Sequence, residues 1–285
     1  MIVKNVSYDD LNYISAICLD PSVGKALRVL MKSAMDRRIG WIKQMIKNGL
    51  EIFIALEEPR DEIIHYKWVG KLNHKDLAIN NKVPMGLLES IPIEYALEPI
   101  QGNNSLFINC IWILPPFWRK GIGKALISSF IKRAEKVGSA CVIAYENERW
   151  FDTTIQYMPL KFFKKHQFIE VDRDGKRVLL FRDFKNIDPP KFLNVHTKLK
   201  KKSHKLSLSI FCNDQCPWST FMVKEIQEGV KSIRNIETNI ISTNRKKDIE
   251  KYGISRGVIM DNKPICNRMV SWTQVKKEID KFKST

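Results

Sequence analysis

Apolar and polar positions alternate along residues 1–185 in a way that predicts strands and amphipathic helices in turn. Residues 2–7 read as a strand, and Asp9-Asp10 opens a short helix. Residues 25–48 predict a long helix, because Leu27, Leu30, Met31, Ala34, Met35, Ile42, Met45 and Ile46 recur at three-and-four spacing and form one stripe. Gly49 stands where a helix end favours glycine. Glu51 to Leu56 predicts a strand, and 60–105 predicts strands with long connections, including Lys82 to Leu88 and Ala96 to Ile100. Leu106 to Leu114 is almost wholly apolar, as expected of a strand buried on both faces. Lys124 to Val137 predicts a helix with Leu126, Ile127, Phe130, Ile131, Ala134 and Val137 inward, ended by Gly138. Ala140 to Tyr145 predicts a strand and Leu160 to Lys165 a short helix. Phe168 to Val171 and Val178 to Phe181 form a hairpin around Asp174-Gly175.

The character changes at Asp188-Pro189-Pro190, and 186–204, with Lys200-Lys201-Lys202, reads as a solvated linker. A second alternation begins at Leu206. It predicts a strand to Phe211, a helix from Thr220 to Ser232, a strand from Glu237 to Ile241 and a helix from Lys246 to Tyr252. Short strands at Gly257–Met260 and Pro264–Cys266 and a last helix at Trp272–Phe282 follow. The boundaries are therefore 1–185, a linker at 186–204, and 205–285. A chain of 285 residues has room for two domains.

Composition sharpens this only in part. No apolar run is long enough for a membrane helix, and Met1 to Val6 reads as a strand rather than a signal segment, so a cytoplasmic protein is expected. The net charge of +17 is spread along the chain, with 28 basic against 21 acidic residues in 1–185 and 20 against 10 in 186–285. It suits an anionic ligand. No recognition motif for nucleic acid accompanies it. The six cysteines are too few for a disulfide scaffold, and Cys110 and Cys141 sit in apolar runs as core residues. Cys212, Cys216 and Cys266 lack the clustering of a metal site, so no metal is expected.

Candidate chemistry concentrates at Trp112-Ile113-Leu114-Pro115-Pro116-Phe117-Trp118-Arg119-Lys120-Gly121-Ile122-Gly123-Lys124-Ala125-Leu126. An apolar strand runs into a basic glycine loop that opens a helix, which is how backbone N–H groups build a phosphate site. This stretch resembles the acyl-CoA-binding motif of the GNAT acetyltransferases. The resemblance implies a mixed α/β (α+β) sheet flanked by helices, with acetyl-CoA as acyl donor. It further implies that the main chain of Ile113 and Leu114 meets the pantetheine arm, and that Arg119, Lys120, Gly121, Ile122, Gly123, Lys124 and Ala125 cradle the pyrophosphate. The usual Arg or Gln of the motif falls on Trp118. Where many relatives carry Phe-Tyr-Glu-Lys-x-Gly-Phe, this chain has Phe162 to Phe168, with Phe163 at the tyrosine and Gln167 at the glycine.

Acetyl transfer to an amine requires a base for the amine and an acid for the leaving thiolate. Glu89, Glu94 and Glu98 precede the central strand, where the family often places the base, and Glu146 follows the next strand. Tyr157 or Tyr145 could stand in for the missing tyrosine. The aromatic segment Glu148 to Pro159 reads either as a substrate-side loop or as a peripheral anchor. The acceptor is a small-molecule or peptide amine, and homodimerisation is left open.

In the second region, Cys212-Asn213-Asp214-Gln215-Cys216-Pro217-Trp218-Ser219 closes a strand and opens a helix, resembling a glutaredoxin-type start of a thioredoxin-like domain. A helix N-terminus favours the Cys216 thiolate, with Cys212 as resolving thiol. The cis-proline of thiol oxidoreductases is replaced by Ile254 to Ile259, which contains none. The pairing of the two regions resembles the YoaP-type acetyltransferases. Two alternatives stay open beside an N-acetyltransferase: a CoA-binding regulatory protein without catalysis, and a thiol-redox or thiol-sensing protein acting through Cys216.

Overall fold

The structure, a computed structural model, describes residues 1–151, 153–195, 199 and 204–283. Its chain order is β1 (Ile2–Asn5), α1 (Leu11–Cys18), α2 (Lys25–Ile46), β2 (Glu51–Glu57), β3 (Ile63–Tyr66), β4 (Gly70–Asn73), β5 (Val83–Pro92), β6 (Ile100–Gln101), β7 (Ser105–Ile113), α3 (Ile122–Val137), β8 (Ser139–Tyr145), α4 (Leu160–Lys164), β9 (Ile169–Asp174), β10 (Arg177–Asp183) and β11 (Lys191–Phe192). There follow β12 (Leu206–Cys212), α5 (Pro217–Val230), β13 (Ile236–Ser242), α6 (Lys246–Tyr252), β14 (Gly257–Met260), β15 (Lys263–Cys266) and α7 (Trp272–Lys283). No described helix is long and apolar enough to cross a membrane.

The first unit is a seven-stranded sheet of order β1-β2-β5-β7-β8-β10-β9. Only β7 and β8 pair parallel. Their register runs from Ser105↔Ser139 to Ile108↔Val142 and then stops, so the two strands part along the remainder of β7. The helix α3 packs beneath β2, β5 and β7 through Leu126, Ile127, Phe130 and Ala134, the inward face that its periodicity predicts. In α2 the stripe is buried from Met31 to Met45, while Leu30 stays exposed and Arg38 occupies a buried position among apolar residues.

Several boundaries differ from the sequence reading. The expected strand Lys82–Leu88 extends to Pro92 as β5, because pairing with its neighbours and burial continue past Glu89 and Ser90. Ala96–Ile100 is not a strand: it follows a 3-10 turn, and only Ile100–Gln101 pairs, with Lys191–Phe192. That pairing ties part of the expected linker back onto the first unit. Lys200-Lys201-Lys202 lies outside the described residues. The β3–β4 hairpin, turning through Trp68 at φ 69°, has no apolar alternation strong enough to announce it.

The second unit is a four-stranded sheet of order β13-β12-β14-β15, with β12 parallel to β13 and antiparallel to β14. Leu208, Ile210, Met222, Ile226, Val258, Met260, Val275 and Ile279 form its core. The two cores exchange side chains. Phe151, from the loop after β8, is buried in the second core, and Ile249 of α6 belongs to the first.

Polar contacts fasten the same interface. The Arg37 guanidinium donates to Asp214 and Thr220 at 3.1 and 2.9 Å. The Trp218 indole donates to the Cys18 carbonyl at 3.1 Å. The Lys246 ammonium donates to the carbonyls of Ala96, Glu98 and Ile100 at 3.2, 3.1 and 2.7 Å. Arg256 pairs with Glu98, and Arg268 with Glu148.

The Phe151→Ala variant should therefore weaken the second unit although residue 151 lies before it in the chain. Deleting a buried phenyl ring costs about 3 kcal/mol. Hydrogen exchange of the α5 amides should accelerate on the order of 100-fold if they open through this core. Unchanged exchange in 217–230 would contradict the shared core.

Candidate active site

The parting of β7 from β8 opens a gap in the middle of the sheet. At its outer end, a 3-10 turn at Pro115–Phe117 leads into the basic loop. Arg119 at φ 62° and Gly121 at φ 79° both lie in the left-handed region, which bends the main chain back before α3 begins. Gly121 is the residue type that adopts this without strain. The backbone N–H groups from Arg119 to Lys124 have no backbone partner among the described residues, and the next one, Ala125, bonds the Gly121 carbonyl at 3.0 Å. Six consecutive free amides at a helix start, with Arg119, Lys120 and Lys124 exposed beside them, fit a pyrophosphate.

The two strand positions expected to serve the pantetheine arm are partly engaged. The Leu114 amide donates to the Met85 carbonyl at 2.9 Å. The Ile113 carbonyl accepts from the Trp118 indole at 2.8 Å. Trp118, where the motif has Arg or Gln, thus caps the strand end, and packs edge-on against Trp68 with centroids 6.2 Å apart.

On the inner side of the gap, a bulge in the β5–β7 pairing places Glu89 opposite Cys110 and Ser90 opposite Ile108, leaving Asn109 as the extra residue. A bulge re-aims side chains. Here it brings Asn109 onto the carboxylate beside it: Asn109 Nδ2 donates to Glu89 Oε1 at 3.0 Å. Arg38 Nη2 donates to Glu89 Oε2 at 2.8 Å. Both groups are buried, and burial alone would push the Arg38 guanidinium toward neutrality; the Glu89 carboxylate, with smaller contributions from the cysteines around it, more than offsets this and holds the cation.

These residues line a cavity of about 580 Å³. Its wall includes Trp112 from β7, Trp150 and Tyr157 from the loop after β8, and Gln215, Cys216 and Trp218 from the second unit. Tyr157 stacks on Tyr145 and Trp150 at centroid distances of 5.0 and 5.1 Å. Burial raises the Tyr157 hydroxyl well above the usual phenol range, and pushes Tyr145 up to about 12. Both are neutral donors at physiological pH.

Of the carboxylates singled out from sequence, the structure brings only Glu89 into the cavity wall. Glu94 is exposed on a 3-10 turn. Glu146 is exposed and lies 3.5 Å from Arg173. Glu98 is buried against Arg256 at the contact between units. Phe163 is fully buried in the first core. The 148–159 segment is both wall and anchor: Trp150, Tyr157 and Phe151 line the cavity, and Phe151 also fills the second core.

Two readings of cysteines are corrected. Cys110 is not plain core: it lines the cavity, opposite Glu89. Cys216 does stand at the start of α5, but burial raises its pKa despite the opposing pull of Arg38 and Arg256. Desolvation there outweighs the helix terminus. Arg38, Asn109 and Gln215 were missed altogether. A lone arginine on the apolar stripe of α2 is the one signal that could have found the first.

Residues 42–150 match the model of the acetyltransferase (GNAT) family. The uncharacterized N-acetyltransferase YoaP of Bacillus subtilis (strain 168) is 21% identical over 222 residues, which cover 76% of this chain and 75% of that protein. Among solved structures, the PaiA N-acetyltransferase from Thermoplasma acidophilum in complex with coenzyme A aligns at 12% identity and TM-score 0.37, over 64% of this chain and 99% of that one. Campylobacter jejuni N-acetyltransferase PseH in complex with acetyl coenzyme A aligns at 13% identity and TM-score 0.38, again over 64% and 99%. Residues 42–150, which hold both Glu89 and the basic glycine loop, are thus similar to the GNAT acetyltransferases, enzymes whose acyl donor is acetyl-CoA.

Proposed function

We propose that this protein transfers an acetyl group from acetyl-CoA directly to an amine, with the donor lying in the gap between β7 and β8. The observation that carries this reading is the placement of free loop amides at one end of that gap and a buried, charged carboxylate at the other. Arg119 to Lys124 bind the pyrophosphate through backbone N–H groups and nearby cationic side chains. When bound, acetyl-CoA supplies the thioester carbon that the amine attacks. Glu89, paired with Arg38 and oriented by Asn109, holds the amine and takes its proton as the new C–N bond forms. The Tyr157 hydroxyl donates a proton to the sulfur as the C–S bond breaks. Glu94 and Glu146 have no part in this scheme.

The proposal extends to domain organisation. Residues 1–185 form the acetyltransferase domain, and 186–204 connect it to a thioredoxin-like domain at 205–285. The β-α-β-α-β-β-α order and the strand order β13-β12-β14-β15 support that description. Its thiols lack the electrostatics of a redox centre. Burial pushes Cys212 up to about 11, and raises Cys216 as well.

Acetyl-CoA should raise the melting temperature of the full chain, since a ligand of the native state stabilises it. Reversing two loop charges, Arg119→Glu with Lys124→Glu, should weaken that binding roughly tenfold or more, and most at low salt. The Glu89→Gln variant should lose about 100-fold in kcat/KM, the size of a lost general base. Tyr157→Phe should lose kcat with little change in acetyl-CoA affinity. Because Glu89→Gln also strands Arg38, its melting curve has to be measured beside its rate. At pH 8, alkylation of Cys212 in the native chain should be roughly 100-fold slower than in urea, following its thiolate fraction. Faster labelling of Cys216 in the native chain than in urea would restore the redox alternative.

A further inference from the structure

The cavity beside Glu89 is built from both units. The carboxylate, its guanidinium and its amide partner come from the first, whereas Gln215, Cys216, Trp218, Phe221 and Arg256 of the second close over them. The end of the second unit at which a thiol oxidoreductase would offer its cysteines to solvent is here turned inward. Trp218 is anchored by its bond to the Cys18 carbonyl. Aromatic rings run without a break across the boundary: Trp150 meets Trp218 at 6.2 Å, Phe151 meets Phe221 at 5.8 Å, and Trp218 meets Phe221 at 5.6 Å.

Three side chains in this wall carry a buried polar atom with no hydrogen-bond partner among the described residues: Arg38 Nε, Asn109 Oδ1 and Gln215 Oε1. Their residues are 3%, 9% and 2% exposed. Unmade hydrogen bonds at buried groups are costly, and native proteins rarely keep them without a use. The orientation of Asn109 is set by its Nδ2 bond to Glu89, which leaves its carbonyl as an acceptor. Two amide carbonyls and a carboxylate are the groups that meet an amine's N–H bonds.

Charge in the wall limits what else the ligand carries. Arg38 is matched by Glu89, and Arg256 by Glu98 behind it. The remaining carboxylate, Asp20, already accepts from the Ser22 amide and hydroxyl at 2.7 and 2.5 Å. A second cationic centre on the ligand would face two guanidiniums, with Asp20, already occupied at Oδ1 by Ser22, as the one carboxylate left to meet it. A volume of about 580 Å³ suits a small molecule rather than a polypeptide.

We propose that the second unit completes the acceptor site, and that the site takes a small primary monoamine with an apolar body of aromatic size. The amine nitrogen sits among Glu89, Asn109 and Gln215, and the body lies against Trp150, Trp218 and Phe221. Gln215 is then a specificity residue contributed by the second unit. This rests on the acetyltransferase reading for what happens to the amine, but not for its binding.

The test uses the full chain with phenethylamine and hexylamine against spermidine, tryptophan and a tetrapeptide with a free N-terminus. Calorimetry reads amine binding in the presence of CoA, and mass spectrometry reads acetylated product. The monoamines should bind and be acetylated at least about tenfold more efficiently than the others. The Gln215→Met variant keeps the shape and loses the acceptor. It should raise the dissociation constant and KM for the amine about tenfold, leave acetyl-CoA affinity unchanged, and leave the melting temperature unchanged or higher, because the carbonyl it removes is buried and unpartnered. A purely structural Gln215 would instead lower the melting temperature and leave amine KM alone. Preference for spermidine, tryptophan or the peptide, an amine KM indifferent to Gln215→Met, or no monoamine binding overturns the proposal, with the acetyltransferase reading intact wherever product still forms. Monoamine binding that depends on Gln215 but yields no acetylated product upholds the site and overturns acetyl transfer.

Discussion

A buried guanidinium has to meet a carboxylate, and two of the buried guanidiniums, those of Arg38 and Arg256, line the cavity. Arg38 meets its partner within the first unit, drawing α2 onto β5. Arg256 meets its partner across the boundary, drawing the second unit onto the segment after β5. The Lys246 ammonium, wrapped by three carbonyls of the same segment, acts in the same direction. Apolar burial makes each sheet fold, but it is not directional. Paired charges set where the second sheet comes to rest, and with it the roof of the cavity.

The site reads as one continuous strand structure with two ends. β7 leaves β8 after Ile108, so the backbone that follows is free to face a ligand. Beyond Ile113 the chain turns into free amides. Beside Cys110 it bulges and turns Asn109 onto Glu89 of β5. The two departures from the family motif fit this picture. Trp118 substitutes an indole that caps the strand for a side chain that would otherwise contribute polarity to the loop. Phe163 is core, and the phenol in the cavity wall lies instead on the loop after β8, at Tyr157.

Most of the first fold was legible because its signals are local. The run before the glycine loop is apolar at nearly every position, and α3 repeats its inward face through four turns. The β3–β4 hairpin was not legible, since its strands are only four residues long and the adjacent Ile63 and Ile64 hide the alternation in burial. Among Glu89, Glu94 and Glu98, spacing alone could not choose. The choice depends on register, because one residue of slip moves a side chain to the opposite face. Glu89 does differ in kind, as the one carboxylate inside the apolar run of β5. The second unit's contribution was hidden for another reason. Gln215 and Trp218 read as part of a thiol motif, and only packing between the units reveals the direction in which they face.

The exchange of Phe151 and Ile249 between the cores bears on how such a chain can change over generations. A loop that fills its neighbour's interior cannot vary independently of that neighbour. Replacing the second unit by an unrelated one would leave Trp150 and Phe151 in water and a hole where Ile249 had been. Relatives that lack the second unit are therefore expected to carry polar residues, or a shorter loop, where this chain has Trp150 and Phe151. Relatives that keep it should alter those aromatics and the α5 face together.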